Sequence, residues 1–348
     1  MRVALLGAGT VGGAVAKVLA AEHEAWGITL AGIAVRDLAK ARAAGLDRLA
    51  PLTTDPAGLA AAPDVDLVVE LMGGLDPALA IVEGALTSGR PVVTANKLLL
   101  ATFGTRLEAL ARASDAALRF ESAVAAGVPV IGVIARDLSA NEILSIRGII
   151  NGTTNYILTK MESEGWSYEQ ALAEAQKIGY AEADPRSDVE GEDAAAKLVI
   201  LARMASGAWP ALAHVQMDDA PGITGVQAAD IAAAAARGAR LRMLASWENG
   251  GDDASKDVLS VRVTEVPADS RLGTTVGGGN LIVVSGDLIG DLTLAGAGAG
   301  PGSTASGVIS DILAVARGEG SSWGDLPPAD NAPAPVWFLA AKKKRGAS

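Results

Sequence analysis

The chain has 348 residues, enough for two domains with their own cores, and no cysteine, which excludes disulfides, zinc–thiolate centres and thiol nucleophiles. A net charge of −11 and a pI near 4.8 argue against nucleic acid as a partner, and no apolar run reaches the length of a membrane span. With no signal peptide before the first strand, a soluble cytoplasmic protein is expected.

Arg2 to Leu6 (RVALL) reads as a short buried strand that runs directly into Gly7-Ala8-Gly9-Thr10-Val11-Gly12 and then the helical pattern GAVAKVLAAE. This is G-x-G-x-x-G with its strand before and its helix after. The first glycine permits the tight turn and the second lets the backbone approach a pyrophosphate. The third lets helix and strand pack closely, with the phosphates at the helix N-terminus. The next strand, ITLAGIAVRD, ends in Arg36-Asp37. An acid there would bond the ribose hydroxyls of NAD, whereas an arginine pairs with the 2′-phosphate of NADP, so NADP(H) is favoured with NAD(H) also possible.

Val65 to Leu71 reads as a third parallel strand, PALAIVEGALTSG as a crossover helix, Pro91 to Ala95 as a strand ending at Asn96-Lys97, and RFESA from Arg119 as another strand. Apolar strands alternating with helices predict an α/β, Rossmann-type doubly wound parallel sheet over residues 1–130. From about Val130 the pattern becomes α+β, with ILSIRGII, NGTTNYIL, a long acidic-to-apolar helical region, and strands VLSVRVTEV and LIVVSGDL. Residues 131–302 are read as a substrate-binding domain. The glycine-rich stretch Gly296 to Gly307 precedes the helix VISDILAVAR, so a helix near 303–318 is expected to return to the first domain. Residues 319–348, rich in Pro and Ala and ending in KKKRGAS, read as a loosely held tail.

From Ala175 to Lys197 the chain places six carboxylates in 23 residues and ends them on a lysine at the head of an apolar helix. Asp193 and Lys197 are four apart, which puts them on one helix face with the acid nearer the N-terminus, the favourable order. A lysine in a buried helix needs a partner or a task. Gly179, Asp184-Pro185 and Gly191 interrupt the chain, so Glu182, Asp188 and Glu190 lie on a loop that can converge on the same cavity. Spacing alone also fits a surface loop with an ordinary ion pair. The dinucleotide fingerprint and the placement of Lys97 at a carboxyl strand end favour an active site.

These motifs together make the chain resemble homoserine dehydrogenase over roughly residues 1 to 318. The resemblance rests on Ala175, Gly179, Asp184-Pro185, Asp188, Gly191, Asp193 and Lys197, on NGTTNYIL at Asn151 to Leu158, and on TANK at Thr94 to Lys97. ESAVAAGVPV from Glu121 and the GAGAG stretch add to it. It implies that Lys197 is the proton donor, that Glu182 and Asp193, with Asp188 beside them, bind substrate, and that Lys97 lies between cofactor and substrate. It implies contacts with NADP at Thr10, Val11, Arg36, Gly179 and Gly300, in addition to Gly7, Gly9 and Gly12 of the fingerprint. It further implies a monovalent cation, usually sodium, held by main-chain carbonyls at Glu121, Val124, Ala126 and Val128, and a homodimer formed through the second domain. Longer relatives of this kind carry a regulatory domain. With about 30 residues after the last helix, a short form without threonine feedback is expected.

The implied reaction interconverts L-aspartate 4-semialdehyde and L-homoserine, a step toward threonine, methionine and isoleucine. It needs a hydride at the aldehyde carbon and a proton at the developing alkoxide, and Lys197 or Lys97 as ammonium can polarise the carbonyl and donate. In the oxidative direction the lysine must accept a proton, so activity should rise with pH. Oxidation of the semialdehyde to an acyl phosphate would need the missing thiol. A lactate- or malate-type enzyme would use a histidine, and the two present, His23 and His214, lie near no motif. Dehydrogenation of another hydroxy amino acid is one alternative. A non-catalytic nucleotide-binding redox sensor is another, although it would have no need of the acid–lysine cluster.

Overall fold

A computed structural model describes residues 1–218, 222–251 and 253–329. The first sheet consists of β1 (Arg2–Leu6), β2 (Thr29–Ala34), β3 (Leu52–Thr53), β4 (Leu67–Glu70), β5 (Val92–Thr94) and β6 (Leu118–Arg119). They lie in the order β3-β2-β1-β4-β5-β6 with every neighbour parallel. Alternate residues of these strands feed two cores. Val3, Leu5, Leu67, Val69 and Val93 face the Thr10–Ala21 and Pro301–Ala316 helices, while Ala4, Leu6, Val68 and Val92 face the Ala78–Thr87 and Lys97–Ala113 helices. Burial on both faces is why these strands read as continuous apolar runs. The order reverses between β1 and β4, which opens a crevice at their carboxyl ends.

The second sheet contains β7 (Ile143–Ile149), β8 (Gln216–Met217), β9 (Ala239–Glu248), β10 (Val258–Pro267), β11 (Gly279–Gly286) and β12 (Gly290–Ala297), in the order β12-β11-β7-β9-β10-β8. Its pairings are antiparallel except for β8 with β10. Ile146, Ala245, Trp247, Val261, Ile282 and Val284 turn to the core, against the Glu192–Ser206 helix, while Arg147, Ser246, Ser260 and Ser285 alternate to the other face. This is the period-2 signature of a sheet covered on one side.

Several elements differ from the sequence reading. β2 stops at Ala34, because Asp37 turns its carboxylate to Lys40 N–H (2.9 Å) and caps the Leu38–Ala43 helix. RFESA is strand only at Arg119. Glu121–Ala123 form a 3₁₀ turn, since Asp311 accepts from Glu121 N–H (2.7 Å) and the Glu121 carboxylate accepts from Ile131 and Gly132 N–H, so side chains replace the ladder. The final helix begins at Pro301 rather than Val308, with proline at its first turn, where a missing N–H costs nothing. Asp188 lies in a short helix, Arg186–Val189, rather than on an open loop.

The described part of the segment expected to be a tail is packed. Ser321 and Ser322 hydroxyls accept from Leu118 and Phe120 N–H, and Ser322 N–H donates to Leu118 C=O, which extends the β6 edge. Trp323 is buried with its ring 6.1 Å from Phe120, and that apolar anchor outweighs the Pro/Ala composition around it. The KKKRGAS end lies outside the described residues.

Candidate active site

The glycine fingerprint occupies the carboxyl end of β1. A Cβ on Gly7 (φ +91°) would come 2.5 Å from Leu71 O, and one on Gly12 would come 2.0 Å from Gly7 O, so neither position admits a side chain. Gly9 precedes the Thr10–Ala21 helix with no side-chain cap, which leaves the first N–H groups of that helix free for an anion beside Thr10 and Val11. Arg36 is exposed just past β2, and one oxygen of Asp37 is occupied by its helix. Gly300 (φ +119°) heads the Pro301–Ala316 helix, whose first turn meets the carboxyl edge of the sheet through a Ser122 hydroxyl bond to Thr304 C=O. These residues fit the pyrophosphate and ribose of a nicotinamide dinucleotide.

Next to this crevice the acid–lysine cluster assembles from three elements. Lys97 is the first residue of the Lys97–Ala113 helix, directly after β5. Asn96 caps that helix through Leu99 N–H (3.1 Å) and donates to Gly74 C=O (2.6 Å). Thr94 accepts from Asn96 N–H and donates to the buried Glu70 (2.7 Å). From the other side, the Glu192–Ser206 helix presents Asp193 and Lys197. Lys197 Nζ lies 2.6 Å from Asp193 Oδ2 and 2.9 Å from Ile150 C=O, and Lys97 Nζ lies 3.0 Å from Asp193 Oδ1. Asn151, at the N-cap of the Gly152–Glu164 helix, donates to both Asp188 (2.7 Å) and Asp193 (2.9 Å).

Charge states follow from these contacts. Burial works to raise Asp193, but Lys197 and Lys97 outweigh it and hold its carboxyl well below the usual carboxylate range. Lys97 is raised, first by the charge of Asp193 against the opposing effect of burial, with Asp188 and Glu182 contributing. Asp188 is raised by burial and by its negative neighbour Asp193, partly offset by Asn151 and Lys197.

Lys97, Lys197, Asp193, Asp188 and the exposed Glu182 therefore share one site, and Gly179 (φ +83°) turns the chain beside it, where Tyr180 C=O accepts from the Thr153 hydroxyl. Glu190 does not join them; its charge falls on Tyr168 and Arg186. Asp184 pairs with Arg186 at the surface (2.6 Å). Asn151, Thr153 and the Glu70–Thr94–Asn96 relay were not among the residues expected to build the site, although NGTTNYIL and TANK contain four of the five. Glu121, Val124, Ala126 and Val128 lie together in one buried turn, in which Ala125 and Ala126 have φ of +51° and +46°. No group of three or more His, Asp or Glu able to hold a metal occurs among the described residues.

Fold and site define a nicotinamide-dependent oxidoreductase in which two lysines converge on one buried aspartate. Residues 7–121 match the family model "Homoserine dehydrogenase, NAD binding domain", and residues 129–313 match "Homoserine dehydrogenase". The chain is 40% identical to the homoserine dehydrogenase of Corynebacterium glutamicum over 347 residues, covering 94% of this chain and 76% of that protein. Among solved structures, a homoserine dehydrogenase from Thiobacillus denitrificans superposes with a TM-score of 0.88 at 37% identity, covering 96% of this chain and 79% of that one. A hyperthermophilic archaeal homoserine dehydrogenase in complex with NADPH gives 0.76 at 29% identity, covering 90% and 96%. The chain belongs to the homoserine dehydrogenase family. It is an oxidoreductase of a CH–OH group that interconverts L-homoserine and L-aspartate 4-semialdehyde with a nicotinamide cofactor.

Proposed function

We propose that Lys197 is the proton donor of this reaction, that Lys97 polarises the same oxygen, and that Asp193 holds both while Glu182 and Asp188 receive the substrate's ammonium. One observation carries this reading: two ammonium groups grip opposite oxygens of a single buried carboxylate. Lys197 has three N–H bonds, and Asp193 and Ile150 C=O take two, so the third is free to point at a substrate oxygen. Its side chain is 11% exposed against 39% for Lys97, which places Lys197 deeper and Lys97 at the cleft. The nicotinamide, when bound, carries the hydride. As negative charge develops on the carbonyl oxygen, Lys197 stabilises it and gives up its proton, and in homoserine oxidation it takes the proton back. Asp193 stays ionised throughout and keeps the lysine oriented.

NADP(H) is the favoured cofactor in this reading, because Arg36 is free to meet a 2′-phosphate while Asp37 is committed to its helix. The Glu121–Val128 turn suits a monovalent cation held by main-chain carbonyls. Two successive non-glycine residues in left-handed backbone each cost on the order of 1 kcal/mol and persist where the surroundings fix them, as a bound ion would. A homodimer formed through the second sheet, working in the cytoplasm, completes the proposal. Among the described residues no helix is long and apolar enough to cross a membrane.

Initial rates of homoserine-dependent reduction of NADP⁺ and NAD⁺, measured beside Lys197→Ala, test the central claim. Turnover is expected to collapse by orders of magnitude in the variant with NADP⁺ affinity intact. A variant that kept the parental rate would remove Lys197 from the chemistry.

A further inference from the structure

We propose that the buried Glu108–Arg203 pair, strapped down by the Ser321–Pro327 segment, is a positioning device that keeps Lys97 in register with Asp193 and Lys197. The inference rests on the reading of the two lysines as working groups. It concerns residues about three turns further along the same helices from Lys97 and Asp193.

Lys97 heads a helix of the first sheet, and Asp193 and Lys197 sit in a helix that covers the second. Nothing within either helix fixes the spacing between them, yet the site depends on that spacing to a fraction of an ångström. Glu108 follows Lys97 by eleven residues and Arg203 follows Asp193 by ten, rises of about 16 and 15 Å. The two helices are therefore parallel rails of nearly equal length, closed at one end by Lys97–Asp193 (3.0 Å) and at the other by Glu108–Arg203 (2.7 Å). A slide or splay of one rail changes both ends together.

The far end is held more firmly than an ordinary ion pair. Glu108 Oε1 accepts from Arg203 Nη2 and from Arg112 Nε (2.9 Å), and Oε2 accepts from Arg203 Nε (2.9 Å) and Trp209 Nε1 (2.7 Å). The Trp209 ring lies against Gly104 of the first rail, where an added Cβ would come within 2.7 Å of it. Arg203 Nη2 also donates to Pro327 C=O (2.8 Å) and Arg112 Nη2 to Leu326 C=O (2.7 Å), with the Arg112 guanidinium 5.2 Å from the Trp323 ring. The segment that extends β6 thus crosses the joint and ties both rails to the first sheet.

Stability is a poor explanation for this arrangement. A fully buried ion pair is commonly neutral or worse compared with apolar residues of the same volume. Here Arg203 Nη1 is buried with no hydrogen-bond partner. What the fork geometry supplies is a fixed relation between two helices, because an arginine–carboxylate pair is bidentate and planar where apolar packing tolerates slip.

The test is E108M/R203M/W209F, which replaces the buried Glu108–Arg203 pair and the Trp209 indole N–H by apolar groups, while the part-exposed Arg112 loses its carboxylate but keeps Leu326 C=O and the face of Trp323. The expected result is a thermal midpoint that is not lowered, an NADP⁺ dissociation constant within twofold of the parent, and a kcat for homoserine oxidation at least tenfold lower. Parental kcat in a folded variant would overturn the inference, and so would a loss of cofactor affinity as large as the loss of kcat. Should the triple variant fail to fold, Arg203→Lys, which keeps the charge and removes the fork, decides the matter. A threefold or larger fall in kcat with unchanged cofactor affinity is expected, and parental kcat overturns it. Lys197→Ala measured alongside separates the two readings. If it retains activity the lysine assignment fails, and if it collapses while E108M/R203M/W209F and Arg203→Lys do not, only the positioning role fails.

Discussion

Lys97 and Lys197 take opposite oxygens of the Asp193 carboxylate, at 3.0 and 2.6 Å. Asp193→Asn keeps the shape and removes the charge that holds the two ammonium groups together. Homoserine oxidation by this variant is expected to fall by about 10²-fold or more in kcat/KM, the usual worth of a positioned proton-transfer group. NADP⁺ binding, measured by fluorescence or calorimetry, should be nearly unchanged.

The same variant carries a pH signature. Asp193 has a folded pKa held below its unfolded value of about 3.9, so its contribution to stability is present above that value and is lost as pH falls through the folded one. The stability gap between parent and Asp193→Asn is therefore expected to be widest near neutrality and to narrow below about pH 4, as urea denaturation at a series of pH values would show. Lys97 has the opposite sign. Its pKa is raised, so its contribution holds below its unfolded value of about 10.4 and disappears as pH rises through the folded one. Semialdehyde reduction should accordingly lose activity at lower pH in Asp193→Asn than in the parent, as pH–rate profiles would reveal.

Arg36→Ala should discriminate between cofactors. Loss of a guanidinium from a 2′-phosphate is expected to weaken NADP⁺ by roughly 10- to 100-fold, about 1.4 to 2.8 kcal/mol, while NAD⁺ is nearly unaffected. Equal effects on both would show that Arg36 does not read the 2′ position.

Asn151→Asp isolates one hydrogen bond donor. The aspartate can still cap the Gly152–Glu164 helix through Thr154 N–H, so cap stability is kept, but the donor that joins Asp188 to Asp193 becomes a third carboxylate. Activity is expected to fall about 100-fold or more, in line with loss of positioned acid–base groups. The cost in stability should be that of like charges in a buried site and not of a lost helix end, and circular dichroism should show helix content retained.

Trp323→Ala tests whether the segment after the last helix is part of the fold. The ring is buried against Phe120 and Arg112, so its removal is expected to cost about 3 to 5 kcal/mol, read as a lower urea midpoint. A loosely held tail would leave the midpoint where it was.

Much of this was legible in the residues. β1, the glycine turn and the Thr10–Ala21 helix appear where the fingerprint puts them, because Gly7 and Gly12 meet steric demands that only glycine satisfies. Asp193 and Lys197 pair as their spacing requires. Lys97 is expected in the same site from its strand-end position and from the resemblance, but its ion pair with Asp193 is not, because nearly a hundred positions separate them and no local periodicity reports such a meeting. Asn151 was hidden for a similar reason, since an N-cap asparagine looks the same whether or not its amide also bridges two acids. The strands β9 and β12 went unread. One mixes arginines with apolar residues and the other is rich in glycine, and each is fixed by pairing along its neighbour rather than by propensity. Residues 319–329 read as tail because composition averages over a window, whereas one buried aromatic ring, Trp323, anchors the segment.

The parallel rails have an electrostatic consequence. Helices beginning at Thr10, Lys97, Glu192 and Pro301 turn their N-termini toward the crevice side of the molecule, so the positive ends of their dipoles are offered to an anion there. The chain as a whole carries −11, the same sign as the cofactor. An anionic dinucleotide thus approaches a chain of like net charge and meets favourable dipoles at the helix ends of the crevice. Guidance by these helix ends is therefore local, within about 10 Å at 0.1 M salt, and works against the net charge of the chain at longer range.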